Sequence, residues 1–225
     1  MKFRAVFFDA AETLFTTRGS VGEIYAGVAR KYGSNVPAET IHSAFLRHFK
    51  GAGPISSEDE KRWWKDIVYR VFNDVGMVED FDGFFDEVYE TFRDSQGWVL
   101  FPETVEVLSE LKKLKVKLGV VSNFDSRAYS VMDSLKIRHF FDAIVLSSET
   151  GFSKPDPEIF LAAVEEIGVP APECLLVGDS LHDDVEAAVR AGLSAILIDR
   201  FGRHSSQNHV ERISSLKQVL PKVTP

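Results

Sequence analysis

The sequence predicts an α/β fold in which a Rossmann-like parallel-sheet core carries an inserted α-helical cap domain. Five short runs are almost continuously apolar, which is typical of parallel strands covered on both faces. They lie at 5–8, 118–122, 143–147, 175–177 and 195–198. Helical patterns separate most of these runs, and such alternation indicates a doubly wound sheet. The interval 17–97 differs, because it contains helical patterns and no buried-strand run.

The helical patterns predict the domain boundaries. Within 17–97, apolar residues recur at helical spacing over 20–31, 37–50, 57–75 and 79–94. Capping boxes are predicted where Ser20 precedes Glu23 and where Ser57 precedes Glu60. Further helices are predicted at 103–115, 126–136, 157–168 and 181–191, with a short final helix near 211–220. We therefore expect a core domain formed by 1–16 and 98–225 and a helical cap domain at 17–97.

Composition limits the classes of function. The 225 residues carry a net charge of −8, which argues against nucleic acid or an acidic membrane as a partner, since those surfaces usually need a basic face. No apolar run approaches the roughly 18 residues of a membrane-spanning helix, and the N-terminus lacks a signal-peptide cleavage site. The single cysteine, Cys174, opens an apolar run and is predicted to be a buried small hydrophobe. We expect a cytoplasmic protein that is a monomer or a weak homodimer.

Reactive side chains follow the apolar runs. Asp9 ends the first run, Ser122 and Asn123 end the second, and Asp179 follows the run 175–177. The carboxyl ends of parallel strands meet at one edge of an open α/β sheet, and this edge is where such sheets bind ligands. These side chains are therefore expected to converge at one site, and the combination suits an anionic substrate handled with a divalent metal.

Carboxylates supply both a candidate nucleophile and candidate metal ligands. Asp9 can attack an electrophilic centre and form a covalent aspartyl intermediate, although an aspartate at a strand end is also a common turn residue. Mg²⁺ prefers carboxylate oxygens, waters and substrate phosphate, so that Asp9, Asp179 and Asp184 are candidate ligands. Asp183 is expected only to complement the dipole of the following helix.

Cationic and hydroxyl groups complete the predicted site. Lys154 lies in a turn fixed by proline, and its ammonium is expected to offset the charge of Asp9 and of a phosphoryl group. The alternative is a solvated surface lysine. Ser122 and Asn123 offer a hydroxyl and adjacent amides to phosphoryl oxygens. Thr13, an even number of residues after Asp9, can do the same.

These residues, taken in order, resemble the motifs of the haloacid dehalogenase superfamily. The first motif is 9–14, the second is Ser122, the third is Lys154 in Lys-Pro-Asp-Pro, and the fourth is 178–184. The resemblance spans essentially the whole chain. It implies a Mg²⁺-dependent hydrolase with an α-helical cap, which forms an aspartyl-phosphate on Asp9 from a small phosphorylated or otherwise anionic metabolite. It also implies a catalytic role for Lys154.

One position departs from the pattern of the superfamily's phosphatases, which carry a second aspartate two residues after the nucleophile as acid and base. Here that position is Ala11, whose backbone carbonyl can still bind Mg²⁺ but whose side chain cannot protonate a leaving alkoxide. General acid catalysis contributes roughly a hundred- to ten-thousandfold, so we expect poor turnover of alkyl phosphates and better turnover of acyl or aryl phosphates. Glu12 is next to the gap, but strand alternation predicts that it points away from Asp9.

Other interpretations remain open. A haloacid dehalogenase also uses the first aspartate and has a non-acidic residue two positions later, but it needs no metal and its fourth motif lacks the Gly-Asp pair seen here. A phosphonatase-like C–P hydrolase would need a Schiff-base lysine, for which Lys50 is the candidate. Loss of the acid at Ala11 is also compatible with a catalytically weakened binding protein. Candidate substrate contacts from the cap are Arg47, His48, Lys50 and Trp63.

Overall fold

The predicted Rossmann-like α/β core is confirmed. The computed structural model describes residues 3–50, 52–53, 55, 59–204 and 210–223. Within these ranges the strands are β1 (Ala5–Phe8), β2 (Phe15–Thr17), β3 (Trp98–Leu100), β4 (Lys117–Ser122), β5 (Ala143–Leu146), β6 (Cys174–Gly178), β7 (Ser194–Ile198) and β8 (Arg212–Ile213). They form a six-stranded parallel sheet in the order β5–β4–β1–β6–β7–β8 and an antiparallel ribbon of β2 and β3.

The predicted insertion is helical. Its helices are α1 (Val21–Ala29), α2 (Ala38–Lys50), α3 (Glu60–Val75) and α4 (Phe81–Thr91), which we call the inserted helices. Ser20 caps α1 and forms the predicted capping box with Glu23. Asp59 caps α3 by accepting a hydrogen bond from the amide of Arg62, and Ser57, predicted to form the second capping box, lies outside the described residues. The division into core and cap domains at 16/17 and 97/98 stays a prediction.

The remaining helices surround the sheet. They are α5 (Thr104–Lys113), α6 (Arg127–Ser134), α7 (Ser147–Thr150), α8 (Glu158–Ile167), α9 (Ala187–Arg190) and α10 (Leu220–Val223), and a π-helix, Leu181–Glu186, precedes α9. The prediction of a helix near 211–220 is wrong in its first part, because Arg212 and Ile213 pair with β7 as strand β8. Strands as short as β2, β3 and β8 produce no hydrophobic pattern in a sequence. None of the described helices combines the length and the apolar character needed to cross a membrane.

Alternation along β1 divides the apolar core into two layers. Val6 and Phe8 belong to a layer that continues into the inserted helices, whereas Ala5 and Phe7 belong to a layer under α8 and α9. These side chains are fully buried, as expected for a central parallel strand. Cys174 lies in the second layer, where burial raises the pKa of its thiol to about 11. The prediction of a buried small hydrophobe at Cys174 is thus confirmed.

A buried ion pair ties the loop after β1 to the C-terminal part of the chain. Arg200 donates from Nη1 to Glu103 Oε1 and from Nη2 to the carbonyl of Thr13, each at 2.7 Å. Glu103 also accepts hydrogen bonds from the hydroxyl of Ser215 and the amide of Leu216. Burial opposes ionisation of Glu103, but the hydrogen bond and charge of Arg200, together with hydrogen bonds from backbone amides, outweigh this effect and lower the pKa of Glu103 to about 2.

Glu103→Gln is expected to lower the free energy of unfolding at pH 7 by about 2 kcal/mol, because hydrogen bonds to a charged group contribute about that much. Because folding lowers the pKa of Glu103 from 4.5 to about 2, the ionised carboxylate stabilises the folded state above pH 4.5. This stabilisation is lost as the pH falls towards 2 and the carboxylate is protonated. Urea unfolding at a series of pH values should therefore show that the difference from wild type shrinks in this window. The matched control is Glu106→Gln, which removes an exposed pair with Lys217 and should change stability little. A difference that is independent of pH would contradict this account.

Candidate active site

The carboxyl ends of neighbouring strands bring the predicted catalytic residues together. Strand β1 lies between β4 and β6, so that Asp9 after β1 is flanked by Ser122 at the end of β4 and by Asp179 after β6. Asp9 and Ser122 are buried, and Asp179 is partly exposed. The convergence at one edge of the sheet follows from the order of the apolar runs.

Lys154 joins two carboxylates inside this site. Its Nζ donates to Asp9 Oδ1 and to Asp184 Oδ1, both at 2.6 Å, and its side chain is 4% exposed. Ser122 Oγ donates to the same oxygen of Asp9 at 3.3 Å. Burial alone would lower the pKa of Lys154, but the charges of Asp184 and Asp9 outweigh burial and raise it. Lys154 is therefore a fixed internal cation and not a solvated surface lysine.

A cluster of carboxylates beside Lys154 suits a divalent cation. Asp9, Asp179 and Asp184 each present an oxygen within 4.8 Å of the others. Burial raises the pKa of Asp9 to about 6, and burial together with the charges of Asp9 and Asp184 raises the pKa of Asp179 to about 8. Burial thus opposes ionisation of these carboxyl groups, and a bound cation would favour their charged forms. Carboxylate oxygens are also the ligands that Mg²⁺ prefers, so the donor set fits this metal.

Asp184 reaches the cluster from the π-helix. Its Oδ2 accepts a hydrogen bond from the amide of Ser180 at 2.9 Å, while its Oδ1 holds Lys154. Gly178 lies so close to this carboxylate that a Cβ at its position would overlap it, which explains the need for glycine there. Asp183 is not part of the cluster found among the described residues. Its amide binds the hydroxyl of Ser180 in the first turn of the π-helix, where it was predicted to complement the helix dipole.

The order and geometry of these residues agree with a match to a family model. The model for haloacid dehalogenase-like hydrolases matches residues 3–192. The chain belongs to the haloacid dehalogenase-like hydrolases.

Relatives of this hydrolase include proteins with different assigned activities. It is 30% identical to haloacid dehalogenase-like hydrolase domain-containing protein 3 of Mus musculus, over 88% of this chain and 82% of the relative. It is 29% identical to glyceraldehyde 3-phosphate phosphatase of Methanothermobacter thermautotrophicus, over 96% of this chain and 99% of the relative. The crystal structure of 2-haloacid dehalogenase from Pseudomonas syringae pv. Tomato DC3000 aligns with a TM-score of 0.70 at 25% identity, covering 98% of this chain and 97% of that one.

Asn123 holds the backbone of Lys154 in this hydrolase. Its Nδ2 donates to the carbonyl of Lys154 and its Oδ1 accepts from the amide of Lys154, each at 2.8 Å. The side chain predicted to contact phosphate is thus already engaged, which leaves its backbone amide for that role. Thr13, by contrast, is buried with a hydroxyl that has no partner among the described residues. Buried hydroxyls normally have partners, and Thr13 does not belong to the described lining of the cavity.

Asn123→Ala is expected to lower kcat about tenfold, because small displacements of a charge-stabilising group are costly. The free energy of unfolding should fall by about 2 kcal/mol, since two hydrogen bonds to Lys154 are lost. Turnover of an activated phosphate ester and urea unfolding measure the two effects. Asn73→Ala, at an exposed position of α3, is the matched control and should change neither quantity appreciably. An unchanged kcat in Asn123→Ala would show that Lys154 does not depend on this contact.

Glu12 does not follow the strand alternation from which its direction was predicted. Strand β1 ends at Phe8, and Glu12 adopts a left-handed backbone with a φ of 61°, so that the alternation of a strand no longer applies. Its side chain accepts a hydrogen bond from Thr16 Oγ1 at 2.6 Å. Glu12 lines the same cavity as Asp9 and Ala11. Its carboxylate is engaged by Thr16 and is not part of the cluster formed by Asp9, Asp179 and Asp184.

A cavity of about 750 Å³ separates the catalytic edge of the sheet from the inserted helices. Asp9, Ala11, Ser122 and Asn123 line it on the side of the sheet. The inserted helices contribute mostly aromatic and aliphatic side chains, namely Val21, Tyr25, His42, Phe45, Leu46, Phe49, Trp64, Val68, Phe85, Val88 and Tyr89. Its size lies within the range of roughly 300–1,000 Å³ that is usual for small-molecule sites.

A contact that we call the Arg127 clamp joins the inserted helices to the segment after Ser122. The Arg127 guanidinium lies 4.2 Å from the ring centroid of Tyr89 and 5.0 Å from that of Trp64. Asp125 accepts hydrogen bonds from Arg127 Nε at 2.9 Å and from Trp64 Nε1. Burial would lower the pKa of Arg127, but the hydrogen bonds and charge of Asp125 outweigh it and raise the pKa. The guanidinium of Arg127 is therefore held by the carboxylate of Asp125 inside the clamp.

The cap residues predicted to contact substrate lie elsewhere. Arg47 and His48 pair with Asp74. Lys50 is exposed at the end of α2. None of these three residues belongs to the described lining of the cavity, and Trp63 does not belong to it either. The face of α2 that lines the cavity instead carries His42, Phe45, Leu46 and Phe49. Their spacing of three, one and three residues is that of one helical face. Apolar spacing identifies Phe45, Leu46 and Phe49 as one face of α2, but it does not distinguish a cavity lining from a packed core.

Proposed function

We propose that this hydrolase cleaves small phosphorylated metabolites and transfers the phosphoryl group to Asp9. The observation that carries the proposal is Lys154 Nζ, which lies 2.6 Å from an oxygen of Asp9 and 2.6 Å from an oxygen of Asp184. A buried cation between a nucleophile and an acidic cluster suits a substrate that brings negative charge of its own. The relationship to a glyceraldehyde 3-phosphate phosphatase supports the same class of reaction.

Mg²⁺ is the proposed cofactor. The residues that would hold it are Asp9, Asp179, Asp184 and, through its backbone carbonyl, Ala11. When bound, Mg²⁺ would neutralise phosphoryl oxygens and so reduce their repulsion by the carboxylate of Asp9. Asp184 would at the same time keep Lys154 in position through its other contact.

The proposed reaction has two displacements at phosphorus. An oxygen of Asp9 bonds to phosphorus while the bond from phosphorus to the leaving oxygen breaks, and the leaving group departs with the electron pair. Lys154, Ser122 and Thr13 stabilise the charge of the transferring group. Water then bonds to phosphorus and the bond to Asp9 breaks, which releases phosphate, regenerates the carboxylate and returns one proton to solvent.

The inserted helices are proposed to act as a cap. Closure over the sheet edge would exclude bulk water and select the leaving group. Because Ala11 supplies no acid, a leaving group that is stable as an anion, such as an acyl or aryl oxygen, would be favoured over an alkoxide.

A 2-haloacid dehalogenase is the second candidate function. It is favoured by the non-acidic Ala11 and by the likeness to a solved 2-haloacid dehalogenase. In that reaction an oxygen of Asp9 would bond to carbon and halide would leave with the electron pair. The clustered Asp179 and Asp184 argue for the phosphoryl reaction, because carbon–halogen cleavage needs no metal.

The test is hydrolysis of p-nitrophenyl phosphate with and without Mg²⁺, together with thermal unfolding in the same buffers. We expect turnover with Mg²⁺, none after chelation, and a higher melting temperature with the metal, since a ligand that binds only the folded state stabilises it. Equal turnover in chelator would contradict the metal role. Chloride release from L-2-chloropropionate in chelator, without phosphate release from p-nitrophenyl phosphate, would favour the dehalogenase.

A further inference from the structure

The cavity next to Asp9 has a wall of stacked aromatic rings. The ring centroids of Phe45 and Phe49 are 5.3 Å apart, and those of Phe49 and Trp64 are 5.7 Å apart. The corresponding interplanar angles are 16° and 15°. Trp98 and Phe124 add a further pair at 5.4 Å. Phe49 stacks with both neighbouring rings, so it offers mainly its edge, against which a flat apolar group can pack.

Neither arginine of the described cavity lining provides a buried second anion site. The guanidinium of Arg127 is neutralised by Asp125, which accepts hydrogen bonds from its Nε at 2.9 Å and its Nη2 at 2.6 Å. Arg203, which also lines the cavity, is exposed at its rim. Hydroxyls of a sugar-like leaving group that lay against the aromatic wall would lose water without gaining partners from these rings, and unpartnered buried hydroxyls are costly.

Ala11 gives independent support for the same kind of leaving group. No side chain at this position can protonate the departing oxygen, so a leaving group that is stable as an anion is required. An aryl oxide is stable as an anion and also fits the aromatic wall. An acyl leaving group is stable as an anion but does not match the aromatic wall, and an alkyl leaving group has neither property.

We propose that the enzyme acts on aryl phosphate monoesters, with the planar leaving group held between the inserted helices and the sheet edge. This inference rests on the proposed phosphohydrolase function. The bond from Asp9 to phosphorus forms as the bond from phosphorus to the aryl oxygen breaks. The aryl oxide leaves with the electron pair and takes its proton from solvent.

The test compares 1-naphthyl phosphate with acetyl phosphate, because both leaving groups depart without an acid and only the first fills the cavity. We expect kcat/KM to be roughly 10- to 100-fold higher for 1-naphthyl phosphate, since burial of an apolar group has an effect of this order. Phe49→Ala should lower the ratio of the two kcat/KM values about tenfold. Tyr69→Ala is the matched control, because Tyr69 is a similarly exposed aromatic residue of the inserted helices that is not part of the described cavity lining.

A binding measurement separates the leaving-group site from the chemistry. (1-Naphthylmethyl)phosphonate, which cannot be hydrolysed, should bind more tightly than methylphosphonate by calorimetry, and Phe49→Ala should reduce this difference. Turnover of acetyl phosphate combined with equal binding of the two phosphonates would overturn the aryl inference and leave the phosphohydrolase intact. Absence of turnover with both substrates would contradict the proposed function itself, and the aryl inference would fall with it.

Discussion

Asp9→Asn is expected to abolish phosphate release, with a loss of at least about a thousandfold in kcat, as for other nucleophile replacements. The carboxamide keeps the shape of the side chain but is not a nucleophile for phosphorus. Removal of this charge also removes one of the contributions that raise the pKa of Asp179 above its ordinary value. We therefore expect the variant to fold, and we expect the pKa of Asp179 to fall.

Release of p-nitrophenol by Asp9→Asn measures the first effect, and NMR titration of Asp179 measures the second. Asp183→Asn is the matched control: it makes the same chemical change one residue before Asp184, outside the described carboxylate cluster. This control should retain most of the turnover. Wild-type kcat in Asp9→Asn would rule out Asp9 as the nucleophile, whereas equal losses in both variants would indicate a general effect of removing acidic charge.

Ala11→Asp is expected to increase kcat/KM for an alkyl phosphate about a hundredfold, at the lower limit of what general acid catalysis contributes. Ala11 lines the cavity together with Asp9, so that an aspartate there would lie close to a second carboxylate. Proximity of like charges favours a protonated acid, which can donate to the departing alkoxide. An aryl phosphate should respond little, because its leaving group needs no proton.

The measurement is kcat/KM for glycerol 1-phosphate and for p-nitrophenyl phosphate in wild type, Ala11→Asp and Ala11→Asn. The asparagine variant has nearly the same shape as the aspartate variant but cannot act as an acid. A gain for the alkyl ester in Ala11→Asp alone would support the missing acid as the cause of leaving-group preference. The same gain in both variants would instead point to a change in shape or hydration.

The sequence could predict the sheet and the meeting of the reactive side chains, because both depend on long apolar runs. Asp9, Ser122 and Asp179 follow three such runs, and strand pairing alone brings them together. The direction of Glu12 could not be predicted, since its left-handed backbone ends the strand pattern. The engagement of Asn123 with Lys154 could not be predicted either, because it depends on the relative position of two loops 31 residues apart.

The cavity shows a different limit of sequence reasoning. Phe45 and Phe49 on α2 have helical spacing whether they pack inside a bundle or face a ligand, because both environments are apolar. Only the position of the inserted helices relative to the sheet distinguishes the two. Charge was also misleading on α2, where Arg47 and His48 pair with Asp74 instead of facing the cavity.

The segment 122–127 has a consequence for protein engineering. Ser122 contacts the nucleophile, while Asp125 and Ser126 hydrogen-bond to Trp64 and Glu60 of α3. A mutation in this segment would therefore disturb both the alignment of the reacting atoms and the packing of α3 against the core. Leu46 and Phe49 on α2 are 53% and 42% exposed and line the cavity from the opposite side. Libraries randomised at these two positions should yield enzymes with new substrate ranges and an undisturbed nucleophile.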